Sequence, residues 1–179
     1  MASLVERIVG AAKLDPATYE EVEADTTATP QAMLVVVLAN LAAGVGALRT
    51  VGIGGLLVAT LVSLIGWYVW AFVIYFVGTR FMAGPKTEAD VGQLLRTLGF
   101  SASPGLIRVV GIIPGLNAIA SFVAAVWMLV AMVIAVRQGL DYDTTGRAVV
   151  VCLIGFAFYI AVGVVLGTLL GVTAAIVGN

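Results

Sequence analysis

The sequence predicts an all-α, polytopic transmembrane helix bundle of five spans, the third a broken helix, preceded by short amphipathic N-terminal helices. Three observations predict it. Hydrophobic residues make up 61% of the 179 residues, and mean hydropathy is +1.13. Charged residues make up 11%, against roughly 25% in ordinary soluble domains. The apolar residues are gathered into runs near the ~20 residues that cross a bilayer as a helix, separated by short charged loops. Residues 1–29 read as a cytoplasmic or interfacial unit and residues 30–179 as the membrane bundle.

Ser3 and Glu6 form a capping-box pattern ahead of apolar Leu4, Val5, Ile8, Val9 and Ala12. This first helix places Glu6, Arg7 and Lys13 on its expected wet side. It is too short to span and is expected to lie in the membrane interface. Glu6 and the lack of a long apolar stretch before a cleavage site predict no signal peptide. Asp15 caps a second helix with Pro16 at its first position, running to about Ala24. Glu20, Glu21, Glu23 and Asp25 make it acidic. A solvated face is the plain reading of such a charge run, and a partner-docking surface is the sharper one.

A linker at Thr26–Pro30 leads to the first span, residues 31–48, which contains Asn40. A tight loop at Arg49–Gly54 turns into the second span, residues 54–78, carrying Trp67, Tyr68, Trp70 and Tyr75. After the polar loop Thr79–Asp90 comes the ambiguous stretch, residues 92–114. It begins amphipathic, with Leu94, Leu95 and Leu98 opposite Gln93, Arg96 and Thr97. It breaks at Ser101–Gly105, resumes through Arg108 and stops at Pro114. Each proline removes a donor and disfavours helix in the residue before it. Residues 116–136 form a clear span around Trp127. A polar hairpin, Arg137–Arg147, follows with Asp141 and Asp143. The last run, 148–177, is 30 residues long and exceeds what a crossing needs.

Charge placement decides whether residues 92–114 cross. If they do, with the N-terminus inside, Arg7, Lys13, Arg80, Lys86, Arg96, Arg137 and Arg147 are cytoplasmic and only Arg49 is outside, with Arg108 in or beside the span. If they do not, Arg49, Arg137 and Arg147 lie outside against six inside. The positive-inside rule prefers the first arrangement, with a cytoplasmic N-terminus and the C-terminus outside. The broken third helix must then be buried among the others, because irregular backbone cannot face lipid.

Several function classes are disfavoured. Net charge is −1, so no electrostatic footprint for nucleic acid exists. Without histidine the usual ligands for haem and transition metals are missing, and no cofactor is expected. The single Cys152 pairs with no second cysteine and reads as a buried, unreactive thiol. All ten acidic residues lie outside the apolar runs, which removes the intramembrane carboxylate of ion-coupled transport and most hydrolytic bases. No enzyme is expected.

The candidate site is the break. Arg108 either snorkels to an interface or meets a lipid headgroup, whose phosphate suits its planar fork. Ser101, Ser103, Pro104 and Gly105 form the hinge that could expose backbone donors to an anion. Gly163, Gly167, Gly171 and Ala175 recur every four residues, a spacing that packs helices within one bundle or seams a homo-oligomer. Trp67, Trp127 and Tyr159 lie near mid-helix, suiting interhelical hydrogen bonds or a mid-depth cavity.

The break Gly99-Phe100-Ser101-Ala102-Ser103-Pro104 resembles the Gly-Tyr motif followed by proline of the Yip1 domain family, with Phe in place of Tyr. The run from Trp127 to Gly139, the polar turn and Thr145-Gly-Arg-Ala resemble the segment joining that family's last two helices. The likeness covers about residues 30–175. The Asp-Leu-Tyr-Gly-Pro motif of eukaryotic members, associated with prenylated Rab-type GTPases, is absent, and the chain is similar to prokaryotic members. The resemblance implies five helices, a cytoplasmic N-terminus, a bacterial inner (plasma) membrane location, no enzymatic activity, and membrane organisation or recruitment of a protein partner. Two other readings stand beside it: a small transporter or lipid-handling protein using the broken third helix, and an accessory subunit of a larger membrane complex. Membrane lipids are expected partners in all three.

Overall fold

The computed structural model describes the backbone of residues 2–44, 48–85, 87–113 and 115–177, with side chains over the same ranges except 48–51, 163, 166, 167 and 169–177. The described residues form seven α-helices: α1 (Leu4–Ala12), α2 (Pro16–Ala24), α3 (Thr29–Gly44), α4 (Leu48–Arg80), α5 (Val91–Phe100), α6 (Asn117–Gly139) and α7 (Thr145–Val177). A 3-10 turn, Thr26–Ala28, precedes α3, and a 3-10 segment, Ser103–Ile112, follows α5. Among the described residues, four stretches are long and apolar enough to cross a membrane: Thr26–Gly44, Gly52–Arg80, Asn117–Gly139 and Thr145–Val162.

Residues 92–114 are two pieces, a ten-residue α5 and a ten-residue 3-10 segment, neither of spanning length alone. The turn expected over Arg49–Gly54 narrows to Gly52, whose φ of 64° breaks an otherwise helical α4. A β-carbon disfavours that conformation.

Local chemistry accounts for the short helices. Ser3 and Glu6 close their capping box on α1, and Asp15 caps α2 with Pro16 at its first position. Asp90 and Gln93 close a second capping box on α5. These contacts satisfy amides that have no partner within the helix.

Side-chain bonds gather one end of the bundle. Gln138 donates to Glu20 at 2.7 Å, Gln93 to Glu23 at 3.0 Å, and the Tyr142 hydroxyl to the Gly78 carbonyl at 3.0 Å. The ends of α2, α4 and α6 and the starts of α5 and α7 therefore meet there, with Glu88 and Asp141 in contact. Twenty-three residues of α6, at about 1.5 Å each, separate this charged end from Asn117.

Helix α5 lies at the centre, with every residue from Leu94 to Phe100 buried. Its closest neighbour is α3. A β-carbon on Gly99 would lie 2.7 Å from Ala32 Cβ and 3.1 Å from its carbonyl oxygen. Trp67 Nε1 donates to the Leu95 carbonyl at 3.1 Å, tying α4 to the same helix.

Two arginines on the polar sides of their helices are buried. Arg7 is 2% exposed and pairs with Glu21 at 3.0 Å and Asp25 at 2.7 Å, while also donating to Gln31. One guanidinium thus joins α1, α2 and α3. Arg96 is also buried; it donates to the carbonyls of Val22 and Glu23, capping the C-terminal end of α2. Arg7 reads as wet in sequence and Arg96 as lying opposite the leucines of its helix; what buries them lies on other elements.

Candidate functional site

Two candidate places stand out among the described residues: the break after α5 and a cleft at the charged end. At the break, Ser101 caps α5 and its hydroxyl donates to Leu98 at 2.7 Å. Pro104 lies in the first turn of the 3-10 segment. Gly105 sits against α3 and α6, where a β-carbon would meet Met128 Sδ at 2.9 Å and Ala39 Cβ at 3.3 Å. Only a glycine lets the segment seat this closely without displacing Met128.

Among the described residues, three buried side-chain polar atoms lack a hydrogen-bond partner: Trp70 Nε1, Ser103 Oγ and Arg108 Nε. All three lie around the break. Trp70 and Arg108 line one cavity of about 350 Å³, together with Asn40, Ser63, Ser101, Met128 and Tyr159. The Trp70 ring packs against Phe156 at 4.8 Å and edge-on to Tyr159 at 6.1 Å, which fixes its orientation. Ser103 lines a separate hollow of about 350 Å³ between α1 and the 3-10 segment, beside Ile8, Val9, Lys13 and Trp127.

At the charged end, an open cleft of about 520 Å³ is lined by Glu20, Arg137, Gln138, Asp141, Tyr142 and Asp143. Three carboxylates thus face one guanidinium. Arg137 is itself turned onto its own hairpin, donating to the carbonyls of Tyr142 and Asp143 and to the Thr145 hydroxyl. Burial pushes the Asp141 carboxyl above its ordinary value, and repulsion from Glu88 and Glu20 adds to the rise. Behind the cleft, burial pushes the Glu23 carboxyl up to about 7, with Asp141, Glu20 and Asp90 adding to it and Arg96 opposing.

The acidic quartet of α2 therefore divides. Glu21 and Asp25 hold Arg7, Glu23 is 8% exposed and accepts from Gln93, and Glu20 alone faces the cleft. Asp141 and Asp143 join it from a hairpin more than a hundred residues away; no local sequence signal connects them. The stripe Gly163, Gly167, Gly171 and Ala175 continues the backbone of α7, but its side-chain surroundings lie outside the described residues. Among the described residues, no group of three His, Cys, Asp or Glu is placed to hold a metal ion.

No curated protein and no solved structure matches the chain. A family model does: that of the Yip1 domain, over residues 14–166, from the end of α1 well into α7. The chain belongs to the Yip1 domain family.

Proposed function

We propose that this chain is a non-enzymatic organiser of its membrane, which recruits a protein partner through the acidic cleft at its charged end. The partner contributes a basic, Lys/Arg-bearing segment. The observation that carries the reading is the cleft itself, in which Glu20, Asp141 and Asp143 from two distant parts of the chain converge around one internally engaged arginine. Asp141, whose proton affinity is raised by burial and by its neighbours Glu88 and Glu20, gains most from an incoming cation. In this reading α5 and the 3-10 segment together make a third crossing, so the bundle crosses five times with the charged end cytoplasmic. The buried state of α5 and the positive-inside distribution support it.

A photo-crosslinking residue placed at the exposed Thr144, on the rim of the cleft, tests the reading in native membranes. A discrete adduct with a second protein is expected, weakened by added salt and lost in a Glu20→Gln, Asp141→Asn variant. An adduct indifferent to both changes, or none at all, overturns it.

A further inference from the structure

The cavity at the break holds an arginine without a counter-charge. Among the described residues no ion pair or hydrogen bond reaches Arg108, and its Nε is buried. None of the ten carboxylates can supply the missing charge, because all lie outside the apolar runs. A half-buried cation with no counter-charge among apolar helices is unfavourable, and its buried, orphaned Nε–H adds the desolvation of a donor. Trp70 Nε1 lines the same cavity and is orphaned too. Two donors, one of them cationic, on the wall of one cavity call for an acceptor-rich anion.

We propose that this cavity binds the phosphate of a membrane phospholipid headgroup, with Arg108 supplying charge and a planar fork and Trp70 a second N–H. This site is separate from the acidic cleft and stands or falls independently of it. Its volume, about 350 Å³, falls within the roughly 300–1,000 Å³ of small-ligand pockets. The remaining wall suits the glycerol and upper acyl region: Met128, Met132 and Phe156 are apolar, and the polar Asn40 and Ser63 reach it from α3 and α4. A lipid is favoured over a free anion because the cavity opens among helices whose outer faces are apolar, including the exposed Ile65, Tyr68 and Val69 of α4. Guanidinium pairs with phosphate by two parallel hydrogen bonds, a geometry that lysine cannot copy.

The test uses the purified full chain in an uncharged detergent, with a short-chain phosphatidylglycerol, the matching diacylglycerol and inorganic phosphate as separate probes. Thermal unfolding is followed by tryptophan fluorescence. The expected result is a concentration-dependent rise in melting temperature with phosphatidylglycerol and none with the other two. Arg108→Gln is expected to weaken that lipid's apparent affinity at least tenfold, Arg108→Lys to recover only part, and Trp70→Phe to weaken it severalfold. Without lipid, Arg108→Gln is expected to melt no lower than the wild type, since it removes a charge that has no partner in the fold. That result separates loss of binding from loss of fold. An equal lipid shift in wild type and Arg108→Gln overturns the site. A shift with inorganic phosphate alone overturns the lipid assignment, and a shift with diacylglycerol overturns the role of the phosphate.

Discussion

Trp127 Nε1 donates a 2.8 Å hydrogen bond to the carbonyl of Ala12, across 115 residues of sequence. Ala12 is the last residue of α1, where carbonyls have no partner further along the helix. The bond satisfies one of them and fastens the N-terminal helix to the middle of α6. Val5 and Val9 remain exposed on α1, so the helix is held to the bundle on one side and left apolar on the other.

Removing this tie should loosen α1 without unfolding the bundle. Trp127→Phe keeps the ring and deletes the donor, at a cost of about 1 kcal/mol. Trypsin cleavage at the exposed Lys13 is expected to accelerate, while unfolding of the rest of the protein stays close to wild type. An unchanged cleavage rate would show that the bond does not hold the helix.

Arg7 has a larger role. Its guanidinium engages Glu21, Asp25 and Gln31 at once, so side chains from α2, its C-cap and α3 converge on one residue of α1. Arg7→Met leaves carboxylates without their partner and is expected to lower stability by about 2 kcal/mol, the scale of a charged hydrogen bond. Arg7→Lys is expected to rescue poorly because one ammonium cannot reach three acceptors in a fork. The pairing is also acid-sensitive. Hydrogen bonds from Thr27 and Arg7 hold the Asp25 carboxyl down at about 2. Its contribution is present above the ordinary value of 3.8 and is lost as pH falls through about 2. Chemical unfolding of wild type and Arg7→Met at neutral pH checks the first claim.

Glu23 has the opposite sign. Its carboxyl is raised from 4.5 to about 7, so the folded protein holds a proton there that the unfolded chain has released. Between those values stability attributable to Glu23 falls as pH rises, because the buried carboxylate must ionise beside Asp141, Glu20 and Asp90. Melting temperatures measured from pH 4.5 to 8 should decline in the wild type. The decline should flatten in Glu23→Gln, whose amide retains a group for Gln93. Parallel curves for the two proteins contradict the assignment.

What sequence reasoning reached and missed follows from the range of each interaction. Capping by Ser3, Asp15 and Pro16 is local, and the apolar runs carry their own length signal, so the all-helical class and the long apolar helices were legible. Proline and glycine act on their own backbone, and α5 ends at Phe100 with a 3-10 segment beginning at Ser103. A helical pattern gives a face, not what covers it, so the burial of Arg7, read on a wet side, and of Arg96, read opposite the leucines, was not legible. Their partners lie on other elements, for Arg96 more than seventy residues away. The cleft formed by Glu20 and Asp141 was invisible for the same reason, as was the orphaned Trp70, whose isolation is a property of the packed fold.

Gly99 tests the packing of the central helix. A methyl group there would press on both the side chain and the backbone of Ala32, and backbone cannot step aside as a flexible side chain can. Gly99→Ala is expected to destabilise by roughly 1–3 kcal/mol, the usual cost of overpacking. Gly146→Ala meets nothing within 4 Å and, near the start of α7, should be neutral or slightly favourable. Equal melting temperatures for the two variants would remove the close α3–α5 approach as a determinant of the fold.

The proposed third crossing can be read from sidedness. In a Cys152→Ser background, single cysteines are placed at Glu88, Ala118 and Thr144, all exposed and located before α5, early in α6 and before α7. They are then challenged with a membrane-impermeant maleimide on intact and permeabilised cells. If residues 91–116 cross, Glu88 and Thr144 share the cytoplasmic side and Ala118 alone labels on intact cells. If that stretch dips in and returns, Ala118 joins Glu88 inside and Thr144 moves outside, reversing two of the three outcomes. The crossing pattern is expected, because Gln138 beside Glu20, and Glu88 against Asp141, place the α4–α5 loop and the α6–α7 hairpin at one end of the protein. A five-crossing bundle keeps both on one side of the membrane, whereas the re-entrant alternative must part them and break those contacts.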